Sequence, residues 1–356
     1  MKKSNNLDFV TSLRKEVNLY FHKNKISKTA NLNMYIKCVI MLLIYIIPYL
    51  LMVLGFVDQS LFLLLWAIMG IGMAGVGMCI MHDGNHNAFS NNRKINQLMG
   101  FTLQILGGTY KNWKIQHNQL HHKYPNTINY DPDVSPIKLL RFSPDSYYSK
   151  IYRFQFIYAW FLYGLMTFSF ATIKEFKQLI EWKKGNVITS GQYNQLMLEL
   201  IGWKIVYYIF ILVIPLITLN ISFSQWFGLF FLMHFIAGFL LAIVFQTAHI
   251  MPECEHLQFS EKMDLNSWAV NQLLTTSNYS PNNKVFSWMI GGLNYQIEHH
   301  LFPGICHVHY SSISNIVKRK AIEYNLPYNC KKNFTQAIYS HAKMLYYLGN
   351  PDKIIN

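Results

Sequence analysis

Five long apolar runs alternate with polar segments along the chain, at 38–57, 61–81, 151–173, 203–219 and 226–248. An α-helix needs about 20 apolar residues to cross a bilayer, so each run is a candidate span. Only Asp58-Gln-Ser60 separates the first two, which predicts a tight hairpin. Gly70, Gly72, Gly75 and Gly77 in its second arm suit close helix packing. The last two runs are joined by another short, uncharged turn, Asn220 to Gln225. A patch at 98–108 is too short to span and ends in Gly107-Gly108, so it reads as a re-entrant or interfacial helix. Beyond about 250 the pattern is mixed and predicts a soluble, largely helical cap.

Charge narrows the count of spans. Lys and Arg crowd 82–150 and 174–204, whereas the turns at 58–60 and 220–225 carry none. Cytoplasmic loops carry the positive charge, so both flanks of 151–173 belong on that side. That run, with Tyr152, Tyr158, Trp160 and Tyr163, is then expected to lie in the interface or re-enter. The predicted fold is an all-α integral membrane protein with four transmembrane helices in two hairpins, at about 38–57, 61–81, 203–220 and 226–248. Interfacial helices and a cytosolic helical cap complete it, with both termini cytosolic. Hydropathy alone would give five spans. The expected segments are a cytosolic N-terminal stretch (1–37), a membrane and catalytic unit (38–310) and a cytosolic C-terminal helical tail (311–356).

Composition agrees with a membrane protein: 52% of residues are apolar and 13% charged, against about 25% charged in soluble proteins. The net charge of +14 also raises nucleic-acid binding, but no basic-aromatic module accompanies it. Membrane lipid is the expected partner and nucleic acid is not. Cys38, Cys79, Cys254, Cys306 and Cys330 form no CxxC pair, which fits a reduced compartment rather than a disulfide framework. The basic start is followed by an apolar run too long for a cleavable signal peptide. A Lys-, Asn- and Ile-rich chain of this kind fits a bacterial inner-membrane enzyme.

Histidines supply the candidate chemistry. HDGNH at 82–86, HNQLHH at 117–122 and QIEHH at 296–300 each place side chains one helical turn apart. His82, His86, His117, His121, His122, His299 and His300 thus take up half of the chain's 14 histidines. Seven exceed the three or four that one zinc ion takes, so two metal ions are the economical reading. His249, at the end of the last apolar run, is an eighth candidate ligand. Zinc has no redox chemistry, while nitrogen-rich sites also accept iron. Such a site at the mouth of a membrane bundle suits oxidation of a long hydrocarbon. By contrast, His22, His256 and His341 stand alone in polar surroundings, and His234 is expected as a hydrogen-bonded core residue.

The ordered set HxxxH, HxxxHH and QxxHH resembles the membrane fatty-acid desaturases, and Gln296 opening the third box resembles their front-end (Δ5/Δ6-type) and sphingolipid-type branch. Asn126 with Asp131-Pro-Asp133, the RFQFIYAW run and Leu301-Phe-Pro303 also look like that branch, over about 35–310. The resemblance implies a di-iron centre that uses O2 and two electrons to leave a cis double bond in a long-chain acyl-CoA or acyl-lipid. It implies His82, His86, His117, His121, His122, His249, His299 and His300 as iron ligands, with Gln296 as a direct or hydrogen-bonding partner. Phe245 stands where many relatives in that family place an Asn. Asp83, Asp131, Asp133 and Glu298 are candidates to orient the imidazoles. His307 and His309 match no family position. Neither His-Pro-Gly-Gly nor room for a fused cytochrome b5 domain is present, so a separate ferredoxin or cytochrome b5-like donor is expected.

Two rival readings share parts of this pattern. A membrane di-iron hydroxylase or ketolase would use the same centre and return oxygen to the substrate. A zinc intramembrane protease also uses HxxxH, but it wants Glu after the first His, and Asp83 stands there.

Overall fold

A computed structural model describes residues 2–134, 138–259 and 265–353. Helix α1 (Lys2–Asn24) precedes five helices long and apolar enough to cross a membrane. These are α2 (Leu32–Val53), α3 (Gln59–Asn85), α4 (Lys150–Lys184), α5 (Ser190–Thr218) and α6 (Phe223–His249). Asn31 caps α2 by accepting from the Met34 amide, and Ser222 with Gln225 forms a capping box at the start of α6. One face of α2 stays exposed and apolar, through Leu32, Ile36, Val39, Leu43, Ile47 and Leu50. Their three- and four-residue spacing draws a continuous stripe, as a lipid-facing helix requires.

The centre of the bundle is α3. Its Trp66, Met69 and Met73 belong to one core with Tyr45 of α2 and Met233 and Ala237 of α6. Helices buried in lipid associate through close packing rather than expulsion of water. Gly70 and Gly72 make that contact possible. A Cβ on Gly70 would lie 2.6 Å from the Met233 carbonyl oxygen, and one on Gly72 would lie 2.6 Å from the Tyr45 amide nitrogen. At the far end of the bundle the Gln59 amide donates to the Leu219 carbonyl (3.2 Å), so the two short turns meet.

The run at 151–173 forms most of α4, which at about 1.5 Å per residue is longer than a bilayer core. The patch at 98–108 forms the end of helix Arg93–Phe101 and a 3-10 turn, Thr102–Leu106.

Beyond α6 the chain adds α7 (Leu265–Thr275), α8 (Gln296–Leu301), α9 (Tyr310–Glu323) and α10 (Phe334–Gly349). The largely helical cap also carries a short sheet that the all-α expectation did not include. Strands β1 (Ser277–Tyr279) and β2 (Asn329–Lys331) pair in parallel. Three-residue strands carry no readable alternation. The apolar face of α1 (Phe9, Val10, Leu13, Val17, Phe21) shares a core with α7, α8 and α9. His341 of α10, expected in polar surroundings, is instead buried, with Nε2 2.6 Å from the Tyr163 hydroxyl and Nδ1 2.8 Å from the Ile250 carbonyl. His234 is a core residue as expected, between the Tyr207 hydroxyl (2.8 Å) and Thr167 (3.2 Å).

Candidate metal centre

Four chain segments deliver the histidines to one place. His82 projects from the end of α3, and the His86 backbone N–H caps it by donating a hydrogen bond to the His82 carbonyl (3.1 Å). The preceding turn, Val76–Met81, is π-helical, and so is Lys114–His121. There the His122 amide reaches back five residues to the His117 carbonyl (2.9 Å). The wider turn lets His117, His121 and His122 share one side, where α-helical spacing had been assumed. His249 ends α6, and α8 carries Gln296, His299 and His300.

Two groups result. His82, His86, His117 and His299 bring one ring nitrogen each within 4.8 Å of one another, and His121, His249 and His300 do the same. His122 lies between them and forms a further such group with His299 and His300. Its Nε2 is 3.2 Å from His117 Nε2 and 3.0 Å from His299 Nε2, and its ring stacks on His300. One ring nitrogen carries either a proton or a lone pair, so three converging nitrogens are poorly served by hydrogen bonds alone. Two nitrogens bound at about 2.1 Å to one ion at right angles lie roughly 3 Å apart, which matches.

The opposite edges of these rings are anchored. His121 Nδ1 donates to Asp131 (3.0 Å), and His249 Nδ1 donates to the Thr275 carbonyl (3.2 Å). His300 Nδ1 meets Gln272 Oε1 (2.7 Å), and His299 Nδ1 meets the Tyr310 hydroxyl (3.3 Å). Fixing Nδ1 in this way leaves the Nε2 lone pair for a metal. Among the described residues, Nε2 of His86, His249 and His300, both ring nitrogens of His82 and both amide atoms of Gln296 are buried without a hydrogen-bond partner. Burial, then the neighbouring histidines, hold His86, His117, His122, His299 and His300 well below the usual histidine range. Burial also acts to lower His121, but Asp131 and Asp133 outweigh it and raise it to about 9. Anchored rings whose donor nitrogens are mostly held neutral fit a pair of metal ions, with His121 the ring that must give up a proton to bind.

The four carboxylates take different places. Asp131 anchors His121, as expected, and also accepts from the Asn126 amide (2.9 Å). Asp133 lies 3.5 Å from His121 Nδ1 and accepts from Gln116. Asp83 faces His307 Nδ1 at 2.9 Å and His82 Nδ1 at 3.7 Å. Glu298 bonds Asn278 (2.8 Å) and Tyr328 (2.8 Å) rather than an imidazole, tying α8 to β1. Burial raises it to about 7 against those two hydrogen bonds. Phe245 packs its ring toward His82 and His117 and offers no donor atom. Sequence reasoning missed Gln272, Thr275 and Tyr310, which belong to no spaced motif.

A cavity opens beside the histidines, with about 1050 Å³ of empty space when the open solvent at its mouth is included. His117, His121 and His249 form part of its wall, which continues through Phe245, Leu241, Met73 and Met166. Met73 precedes His82 by nine residues and Leu241 precedes His249 by eight, so the apolar wall runs roughly 12–14 Å away from the histidines at 1.5 Å per residue.

Comparison with known proteins bears on the same residues. The fatty acid desaturase profile matches 58–332. The sn-1 linoleoyl-lipid 6-desaturase of Synechocystis sp. is 31% identical over 341 residues, covering 95% of this chain and 94% of that protein. The acyl-lipid (8-3)-desaturase of Physcomitrium patens is 31% identical over 97% of this chain and 72% of its own length. The probable Delta(5) fatty acid desaturase C of Dictyostelium discoideum is 32% identical over 78% of this chain and 61% of its own. With the three histidine motifs in order, converging beside an apolar cavity, this chain belongs to the fatty acid desaturase family, in its front-end membrane branch.

Proposed function

We propose that the histidines hold two iron ions, His82, His86, His117 and His299 around one and His121, His249 and His300 around the other. His122 stands between the groups and Gln296 beside the second. Iron bound there supplies the redox chemistry by which O2, two electrons and two protons turn –CH2–CH2– into –CH=CH– and two waters. The chain's own residues bind and align the substrate. The apolar wall from Phe245 to Met73 holds an extended acyl chain and keeps water from the reacting carbons. Asp131, Gln272, Thr275 and Tyr310 keep the imidazoles oriented.

The observation that carries this reading is the cavity that runs from His117, His121 and His249 into the apolar bundle. The acyl group is taken to arrive on a membrane lipid rather than as acyl-CoA, which the lipid substrates in the relatives' names support. A separate ferredoxin or cytochrome b5-like protein would supply electrons, drawn by the excess of positive charge. Four spans, α2, α3, α5 and α6, with the histidines on the cytoplasmic side, remain the preferred topology. Both ends of α4 support it: Tyr152 bonds the Lys138 carbonyl and Gln178 bonds Gln116, so each end is tied to the polar, histidine-bearing side.

The test is lipid profiling by gas chromatography–mass spectrometry in cells fed saturated and polyunsaturated acids. Cells making this chain are compared with cells making the His299→Ala, His300→Ala double variant. A new double bond only with the intact histidines is expected, near the carboxyl end. A hydroxy or keto product instead would overturn the reaction assigned here.

A further inference from the structure

Three buried groups join α2 to the first histidine motif, and none of them is a proposed ligand. Lys37 of α2 is 2% exposed, and its ammonium lies 2.7 Å from His307 Nε2 and over the Trp288 ring at 5.2 Å. His307 meets Asp83 Oδ2 with Nδ1 (2.9 Å), and its amide donates to the same oxygen (3.2 Å). The other Asp83 oxygen is 3.7 Å from His82 Nδ1, an electrostatic contact beyond hydrogen-bond distance, and that nitrogen has no hydrogen-bond partner among the described residues. His82 and Asp83 are likewise buried.

Hydrogen-bond chemistry fixes the protons in this line. An ammonium only donates, so His307 Nε2 must offer its lone pair. The ring proton then sits on Nδ1 and is donated to Asp83. Lys37 and Asp83 carry opposite charges across a neutral ring, so the three groups balance in a place where a single charge would be costly. Asp83, Cys306 and His307 also lie close enough to suggest a third metal site. The Lys37 ammonium beside His307 Nε2 argues against it, because it occupies that lone pair and repels a cation.

We propose that His307, backed by Lys37, is a positioning residue for the His82-containing metal site: it holds the negative charge of Asp83 beside His82 Nδ1, which favours the proton on that nitrogen and leaves Nε2 for the ion. This rests on the di-iron reading. It differs from the anchoring of His121 by Asp131 in acting through one more residue and in tying the site to the first apolar helix.

Purified full-length protein and the His307→Ala, His307→Gln and Lys37→Met variants are exposed to graded iron chelator, and retained iron is counted by mass spectrometry. Thermal denaturation runs in parallel. The wild type should hold two irons. His307→Ala should release one of them at roughly 10- to 100-fold lower chelator while the other is retained as before. Lys37→Met should do the same more weakly, and His307→Gln, which keeps a donor and an acceptor in place, should recover part of the loss. His307→Gln and Lys37→Met carry the test if His307→Ala does not fold. Unchanged retention in these variants, loss of both irons together, or a third iron in the wild type would overturn the proposal. Fewer than two irons in the wild type would instead count against the di-iron reading itself.

Discussion

His300 shows how a single ring is prepared in this protein. Gln272 Oε1 meets Nδ1 at 2.7 Å, while Nε2 is buried without a partner among the described residues. Gln272 also reaches the His122 carbonyl (3.2 Å), so one amide steadies two of the motifs. Gln272→Leu should therefore lower metal affinity by roughly 10- to 100-fold with helix content unchanged, as a metal titration with circular dichroism would check. The box histidines were legible in the sequence because their regular spacing is itself a signal. Gln272, Thr275 and Tyr310 were not, since a lone polar residue in a mixed segment carries no spacing. Glu298 was legible only as a carboxylate beside histidines. Which way it pointed depended on Asn278 and Tyr328, which are distant in the chain.

At the scale of elements, the π-helical turn at Lys114–His121 sets where three of the clustered histidines point. A π turn amounts to one extra residue in an α-helix. Deleting Gln119 should restore α-geometry and rotate His121 away from His249 and His300. The helix should persist while metal affinity falls at least about tenfold, read by metal content and circular dichroism. The docking of α10 is open to a pH test. Burial, partly offset by the Ile250 carbonyl, lowers His341 to about 4. The unfolded chain takes up this proton below about 6.5 and the folded chain only near 4. Stability is therefore lost as pH falls between those values and is unaffected by this group above them. The full loss is on the order of 3 kcal/mol. Limited proteolysis of the C-terminal helix should speed up from pH 7 to pH 5, and His341→Gln should flatten that dependence.

For the whole molecule, the proposed metal centre would double as a tie between α3, the Lys114–His121 turn, α6 and α8. Anything that binds only the folded state stabilises it, by about 2.7 kcal/mol at a hundredfold excess over its Kd. Chelation of the purified protein should thus lower its thermal midpoint by several degrees, and added iron should restore it. A midpoint indifferent to chelator would mean that the histidines do not share bound metal. The apolar pattern placed four long runs in helices, close to the expected bounds at 61–81 and 226–248, whereas the helix holding 203–219 begins at Ser190, inside the segment read as charged. It left open the role of α4, because a run of apolar residues reads the same whether its helix crosses, lies flat or returns.

The sequence by itself determined that this is a helical membrane protein with clustered histidines and which family it belongs to. Those are matters of run length, charge placement and residue spacing, all local along the chain. The tertiary structure alone decided how the histidines divide into two groups, what fixes each ring, and that Lys37 and His307 lie behind Asp83. Such contacts join residues as far apart as 37 and 307. They arise from packing helices against one another, and no local pattern encodes which side chains then meet.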